Sequence, residues 1–262
     1  MTICIQSATN PRVKHWASLL EKKHREREGK FLIEGEHLVQ EALKSGAAIE
    51  TIAYAEARGL PKSIADIIGD KIEQVAVSDA VLTRCSDTVT PQGVFAVVHK
   101  QMTSPLEILN HHRALVMVVD GVQDPGNLGT IIRSADAVGA SAVLLGKGTV
   151  DLYNAKTIRS TMGSIFHLPI GECDLKELLP LAKDRSVHIV ATRLEESLSC
   201  YEVDFTRDTW FIVGNEGAGV SETALHNANS FVKIPMPGRA ESLNVAMAAT
   251  ILLFEAMRQR IS

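Results

Sequence analysis

The chain has 262 residues, 45% hydrophobic and 22% charged, with a formal net charge of −4. That length suits one large domain or two ordinary ones, and the charge balance gives no bulk electrostatic pull toward nucleic acid. Aromatics are only 5%, so the core must be aliphatic; Ala/Val/Ile/Leu runs with many glycines favour α/β over an all-β sandwich. Cys4, Cys85, Cys173 and Cys200 are scattered, with no C-x-x-C pair and no His cluster at metal spacing. Reduced thiols in the cytoplasm and no metal are therefore expected. Met1–Gln6 does not read as a signal peptide, and no apolar run reaches membrane-spanning length.

In chain order, Asn10-Pro11 starts a helix with Pro11 in its first turn, and Val13, Trp16, Ala17 and Leu20 give it one apolar face. Between Arg12 and Lys30 the charge is locally basic. Arg12, Lys14, Lys22, Lys23, Arg25 and Arg27 form a candidate phosphate-binding face, with a solvated helix face laced by i,i+4 pairs as the alternative. Lys30–Gly35 reads as a short strand and turn, and Glu36–Lys44 as an amphipathic helix stopped by Gly46. Strands follow at 49–54, 72–77 and 94–98. The polar stretch before Pro105 divides the chain into residues 1–102, a linker at 103–109, and residues 110–262.

Beyond that boundary strands and helices alternate. Strands are expected at 114–120, 142–145, 165–168, 187–192, 210–213 and 231–234. Helices are expected from Leu128 to about Val138, then at 153–162, 175–183, 221–227 and 243–259. Such alternation implies a mostly parallel sheet covered on both faces.

Three glycine- or proline-rich loops each follow a strand, where α/β sheets place their ligands. The first runs from Asp120 to Thr130; its glycines fit neither the dinucleotide fingerprint nor a Walker loop. Asn127 caps the following helix, and Arg133 lies off that helix's apolar stripe. The second is Gly214-Asn215-Glu216-Gly217-Ala218-Gly219, whose glycines permit close backbone approach. The third runs from Ile234 through Met236 to Ser242, Leu243 and Asn244 and opens an Ala-rich helix; alone it is an ordinary helix cap. Together the loops bring Asn127, Arg133, Asn215, Glu216, Ser242 and Asn244 toward one site, suited to an adenosine-type ligand read by backbone groups.

These motifs resemble those of the SpoU (TrmH) family of SPOUT methyltransferases: N-L-G-x-x-x-R-x-A at 127–135, G-N-E-G-x-G at 214–219, and I-P-M-x-G-x-x-x-S-L-N-V at 234–245. The segments 10–14, 31–35 and 91–94 resemble the family's L30e-like substrate-binding domain. The resemblance implies an N-terminal L30e-like α/β domain and a C-terminal SPOUT domain with a deep trefoil knot. It implies a homodimer, an S-adenosylmethionine cofactor, and methylation of a ribose 2′-hydroxyl in RNA, ribosomal before transfer RNA. The implied catalytic set is Arg133, Asn127, Glu216, Ser242 and Asn244. The implied cofactor set is Gly214, Asn215, Glu216, Gly217, Gly219, Ile234, Met236, Ser242, Leu243 and Asn244. A non-catalytic RNA-binding protein of the same fold and a Rossmann oxidoreductase are the competing readings; the intact polar motif positions disfavour the first and the missing G-x-G-x-x-G the second.

Overall fold

A computed structural model describes residues 3–193, 195 and 197–261; Met1 and Thr2 of the N-terminal reading lie outside them. The chain divides into two compact units, residues 1–101 with 151–167, and residues 102–150 with 168–262. Up to Gln101 the elements are β1 (Ile3–Ile5), α1 (Pro11–Ser18), α2 (Lys22–Glu28), β2 (Lys30–Glu34), α3 (Glu36–Lys44), β3 (Ile49–Ala55), α4 (Lys62–Ala65), β4 (Glu73–Val77), α5 (Asp79–Arg84) and β5 (Val94–His99). Next come α6 (Pro105–Ile108), β6 (Leu115–Asp120), α7 (Pro125–Ala137), β7 (Ala142–Gly146), α8 (Ala155–Thr161) and a 3₁₀ turn (Ser164–Phe166). The remainder is β8 (Ile170–Cys173), α9 (Leu175–Asp184), β9 (His188–Thr192), β10 (Leu198–Ser199), β11 (Thr209–Gly214), α10 (Glu222–Asn227), β12 (Ser230–Lys233) and α11 (Val245–Arg260).

The first unit holds a five-stranded sheet ordered β1-β4-β3-β5-β2, in which β5 runs antiparallel to both neighbours. Its core joins Val13 and Trp16 of α1 to Ala53, Val75, Phe95 and Val97 of the sheet. The Trp16 ring meets Phe95 edge-on at 5.5 Å between centroids, a favourable arrangement of ring quadrupoles. Residues 151–167 join this unit rather than the one that flanks them in sequence. There Tyr153 packs on Phe31 at 4.5 Å, and Thr157, Ile158 and Thr161 are buried. The strand expected at 165–168 is instead the 3₁₀ turn, and β8 starts only after Pro169, which lacks an N–H to give a ladder.

The second unit is a seven-stranded sheet ordered β10-β12-β9-β11-β6-β7-β8, parallel at every junction. The central strands β6 and β11 are buried at every residue, which explains their unbroken apolar runs. Helices α9 and α10 cover one face, where Leu178, Leu179 and Ala224 meet Val116, Ile189 and Ile212. Helices α7 and α11 pack together, with Ser134 and Thr250 hydroxyls 2.7 Å apart. The stretch 103–109 contains α6, with Ile108 and Leu109 buried in this unit's core. At the far end of α11, the Arg260 guanidinium donates to the carbonyls of Phe205, Arg113, Ala114 and Arg207, fixing the helix beneath the starts of β6 and β11.

Candidate active site

The register between β6 and β11 ends with Gly214 opposite Asp120. The first two loops therefore leave the sheet side by side. Asn215 exploits this directly: its Nδ2 donates to the Gly121 carbonyl at 2.9 Å, while its Oδ1 accepts from the N–H groups of Gly217 and Ala218. The second loop also closes on itself, through Asn215 N to Gly219 O at 2.9 Å and Gly219 N to Asn215 O at 3.0 Å. A Cβ at Gly214 would stand 2.1 Å from the Gly219 carbonyl carbon. The close approach read from the glycines is thus, at Gly214, an approach of the loop to its own backbone. Asp120, buried at the strand end, accepts from Ser221 N at 2.8 Å and closes the far side of the loop.

Glu216 joins the two loops from above. Its carboxylate accepts from Gln123 N at 3.0 Å, Asp124 N at 3.1 Å and Asn127 Nδ2 at 2.9 Å. Burial pushes its pKa up, but the Asn127 amide and the backbone donors outweigh that and hold the carboxyl below its ordinary value. Asn127 in turn accepts from Asn244 Nδ2 at 2.9 Å. Asn244 caps α11, accepting from Ala246 N at 2.9 Å and Met247 N at 3.3 Å. A single chain of directed bonds thus runs Glu216–Asn127–Asn244–α11 and ties all three loops.

One expected cap is corrected. Helix α7 begins at Pro125, with Asp124 as its cap accepting from Asn127 N at 2.9 Å. Proline's preset φ and missing donor suit the first helical turn, so the helix starts three residues earlier than the Leu128 expected. Asn127 sits in the first turn, with its side chain free to bridge Glu216 and Asn244.

A cleft of about 840 Å³ opens between the second and third loops and the end of β9. Gly214, Asn215, Glu216, Gly217, Gly219, Ile234, Met236, Ser242, Leu243 and Asn244 all line it. The cleft is also lined by Thr192, Arg193, Glu195, Lys233 and Glu241, none of them among the expected site residues; the first four stand at or just past the ends of β9 and β12 in no recognisable motif, and Glu241 fills an unspecified position of the third. Apolar walls from Val213, Val232, Leu225 and Leu252, beside carboxylates at Glu195 and Glu241 and cations at Arg193 and Lys233, fit a flat base joined to charged groups of both signs. Asn127 and Arg133 are not among the lining residues. Arg133 projects from the exposed side of α7, and no described residue pairs with it.

The expected RNA face separates into kinds. Lys14, Lys22, Lys23 and Arg27 are exposed, with Lys22 paired to Glu26 four residues on, as the alternative of an ion-paired helix face expects, and Arg27 paired to Glu28. Arg12 is half-buried, lies over the Trp16 ring and pairs with Glu73. Arg25 is buried, so its guanidinium is not presented to solvent.

Residues 114–254 match the SpoU rRNA Methylase family, and residues 10–96 match the MRM3-like substrate binding domain. The chain is 41% identical over 250 residues to 23S rRNA (guanosine(2553)-2′-O)-methyltransferase RlmP of Bacillus subtilis (strain 168), spanning 95% of this chain and 97% of that protein. The AdoMet-bound rRNA methyltransferase from Sinorhizobium meliloti superposes with a TM-score of 0.88 at 34% identity, covering 100% of this chain and 99% of that one. The SpoU methyltransferase AviRb from Streptomyces viridochromogenes, in complex with AdoMet, gives 0.87 at 34% identity, covering 97% and 99%.

Replacing Glu216 by Gln leaves one carbonyl for three donors, and an unmet donor costs about 1–3 kcal/mol. Glu216→Gln should speed hydrogen exchange at the Gln123 and Asp124 amides and lower methyl transfer at least about tenfold. Unchanged exchange at both amides would remove this role. Because the folded carboxyl value is depressed, its contribution is complete above roughly pH 4.3 and is lost as pH falls through the lowered value.

Proposed function

The chain belongs to the SpoU rRNA methylase family, and we propose on that footing that it transfers a methyl group from S-adenosylmethionine to a ribose 2′-hydroxyl of ribosomal RNA. It is an RNA 2′-O-ribose methyltransferase with S-adenosylmethionine as cofactor. The observation that carries the reading is the bonded chain Glu216–Asn127–Asn244, which draws all three motifs to the rim of one cleft. Within ribosomal RNA we favour the 23S molecule, the substrate in the name of the Bacillus relative.

The bound cofactor supplies an already activated methyl group; the chain's own residues must hold the ribose in line and manage its proton. Backbone groups of Gly214, Ile234 and Leu243, with the apolar cleft walls, hold the cofactor. Asn127, Ser242 and Asn244 form the ribose-facing edge, and Glu216 keeps that edge in register. An arginine is a poor base because it stays protonated. Arg133 therefore holds the adjacent phosphate and stabilises charge developing on the ribose oxygen; its exposed place on α7, with no partner among the described residues, leaves it available for this.

The exposed basic residues Lys14, Lys22, Lys23 and Arg27 make the first unit's RNA face, which agrees with its match to a substrate-binding domain. We also propose a homodimer. Helix α11 is apolar on its open side as well as its buried one: Met247 is 51% exposed and Phe254 43%, and such a face is best covered by a second copy. The trefoil knot belongs to the same proposal. After β12, which lies on one side of β11, the chain crosses to pack α11 on α7, the helix that follows β6 on the other side. A cytoplasmic setting suits the four free thiols.

Arg133→Ala should reduce methylation of the true RNA substrate more than about a hundredfold and leave the cofactor dissociation constant within a few fold; full turnover by this variant would sink the role given to it. Lys22→Glu with Lys23→Glu should weaken RNA binding and lessen its salt slope by about two charges, and an unchanged slope would take α2 out of the RNA face. Phe254→Asp should convert a dimer to a monomer by light scattering; a variant that stays dimeric would move the interface elsewhere.

A further inference from the structure

Arg25 is the basic residue of α2 that faces inward. Its guanidinium donates to the Leu19 and Leu20 carbonyls at 2.9 and 2.7 Å, closing the turn between α1 and α2, and to Asp151 Oδ2 at 2.5 Å. The two side chains are only 6% and 15% exposed. Asp151 is itself fixed independently of α2. Its second carboxylate oxygen accepts from Tyr153 N at 3.0 Å, its carbonyl accepts from Thr157 at 3.3 Å, and the Tyr153 ring is packed on Phe31. It is therefore a fixed post to which α2 is moored. The helix needs one: it has seven residues and no side-chain cap at its start, and helices this short are marginal without tertiary contacts.

We propose that Asp151 is a positioning residue for RNA recognition, acting through Arg25 to hold α2 so that Lys22, Lys23 and Arg27 meet the phosphates as a preformed set. The inference rests on the reading that this face of α2 binds RNA. Cations on a frayed helix must be ordered at the moment of binding, which costs affinity; cations on a moored helix are ordered beforehand. The post also stands one residue beyond Val150, whose N–H donates to the Val122 carbonyl, and two beyond Thr149, whose hydroxyl accepts from Gly121 N. The strand of chain that moors the RNA face is thus continuous with the one that steadies the first loop of the methyl-transfer site.

The test is steady-state kinetics with the rRNA substrate on the full chain, comparing wild type, Asp151→Asn, the double variant R25Q/D151N and the double variant K22E/K23E. R25Q/D151N removes the buried charge altogether, which keeps a folded protein measurable if Asp151→Asn alone is too unstable. Asp151→Asn and R25Q/D151N should raise KM for RNA about five- to tenfold, with KM for S-adenosylmethionine unchanged and kcat within about twofold of wild type. A purely structural role would lower the active fraction and the melting temperature and leave KM for RNA where it was. Wild-type KM for RNA in R25Q/D151N, with KM raised in K22E/K23E, overturns the inference and leaves the RNA face standing. Wild-type KM for RNA in K22E/K23E overturns the face and the inference together.

Discussion

The carboxylate of Glu216 is the contact on which the site depends. Loops that leave the ends of parallel strands carry backbone N–H groups with no ladder partner, and those groups must be satisfied somewhere. Here the adjacency of β6 and β11 sets the Gly121–Asn127 and Asn215–Gly219 loops side by side, so an anion on the second loop can answer the donors of the first. Asn215 and Glu216 are consecutive residues with complementary tasks. The amide gives a hydrogen to the first loop, and the carboxylate takes three from it. Without an acceptor at 216 the first loop would turn its donors to water, and Asn127 would lose the bond that orients its amide.

That orientation propagates. A carboxylate can only accept, so Asn127 must present Nδ2 to Glu216 and Oδ1 to Asn244. Asn244 must then donate through Nδ2, which leaves its Oδ1 to cap the N–H groups of Ala246 and Met247. The cap of α11 and the edge of the cleft are consequently one structure. A helix cap alone would be served equally well by serine, threonine or aspartate, but none of these both donates to Asn127 and reaches two backbone N–H groups with a second atom held in a fixed amide plane. The two readings of the third motif, cap and site edge, are therefore not alternatives.

The parts of this arrangement visible in the sequence are those encoded by local pattern. The apolar strands that end at Asp120 and Gly214, the loops after them and the Ala-rich final helix all stand in the structure close to where periodicity puts them. What the pattern did not disclose is set by contacts distant in sequence. Asp124 rather than Asn127 caps α7 because Pro125 takes the first helical position, and Asn127 is claimed by residues 89 and 117 positions away. Arg25 reads as one more cation in a basic run until Asp151, 126 residues on, shows it to be buried. Residues 151–167 carry helical pattern but no sign of which unit they join; that is decided by the Phe31 ring and the Arg25 charge. Thr192, Arg193 and Glu195 reach the cleft only because β9 lies next to β11, a strand order that no local pattern specifies.

Arg133 differs from Asn127, Glu216 and Asn244 in having no partner among the described residues. Asn127, Glu216 and Asn244 are fixed by one another, so their geometry is settled before any ligand arrives. Arg133 stands two turns further along α7, outside the cleft wall, and its neighbour Ser134 bonds Thr250 of α11. A guanidinium held in advance by a carboxylate would have part of its charge already answered and less to offer a phosphate or a developing alkoxide. Unpaired among the described residues, Arg133 has its full charge to offer in the role proposed for it. The proposed dimer adds to this: α11 presents Met247 and Phe254 on its open face, and covering that face would remove water from the region flanked by α7. Lower local dielectric strengthens any interaction the arginine makes with a phosphate. In the proposed dimer, association and catalysis would be linked through one pair of helices, with α11 supplying the surface to be buried and α7 the charge that gains from its burial.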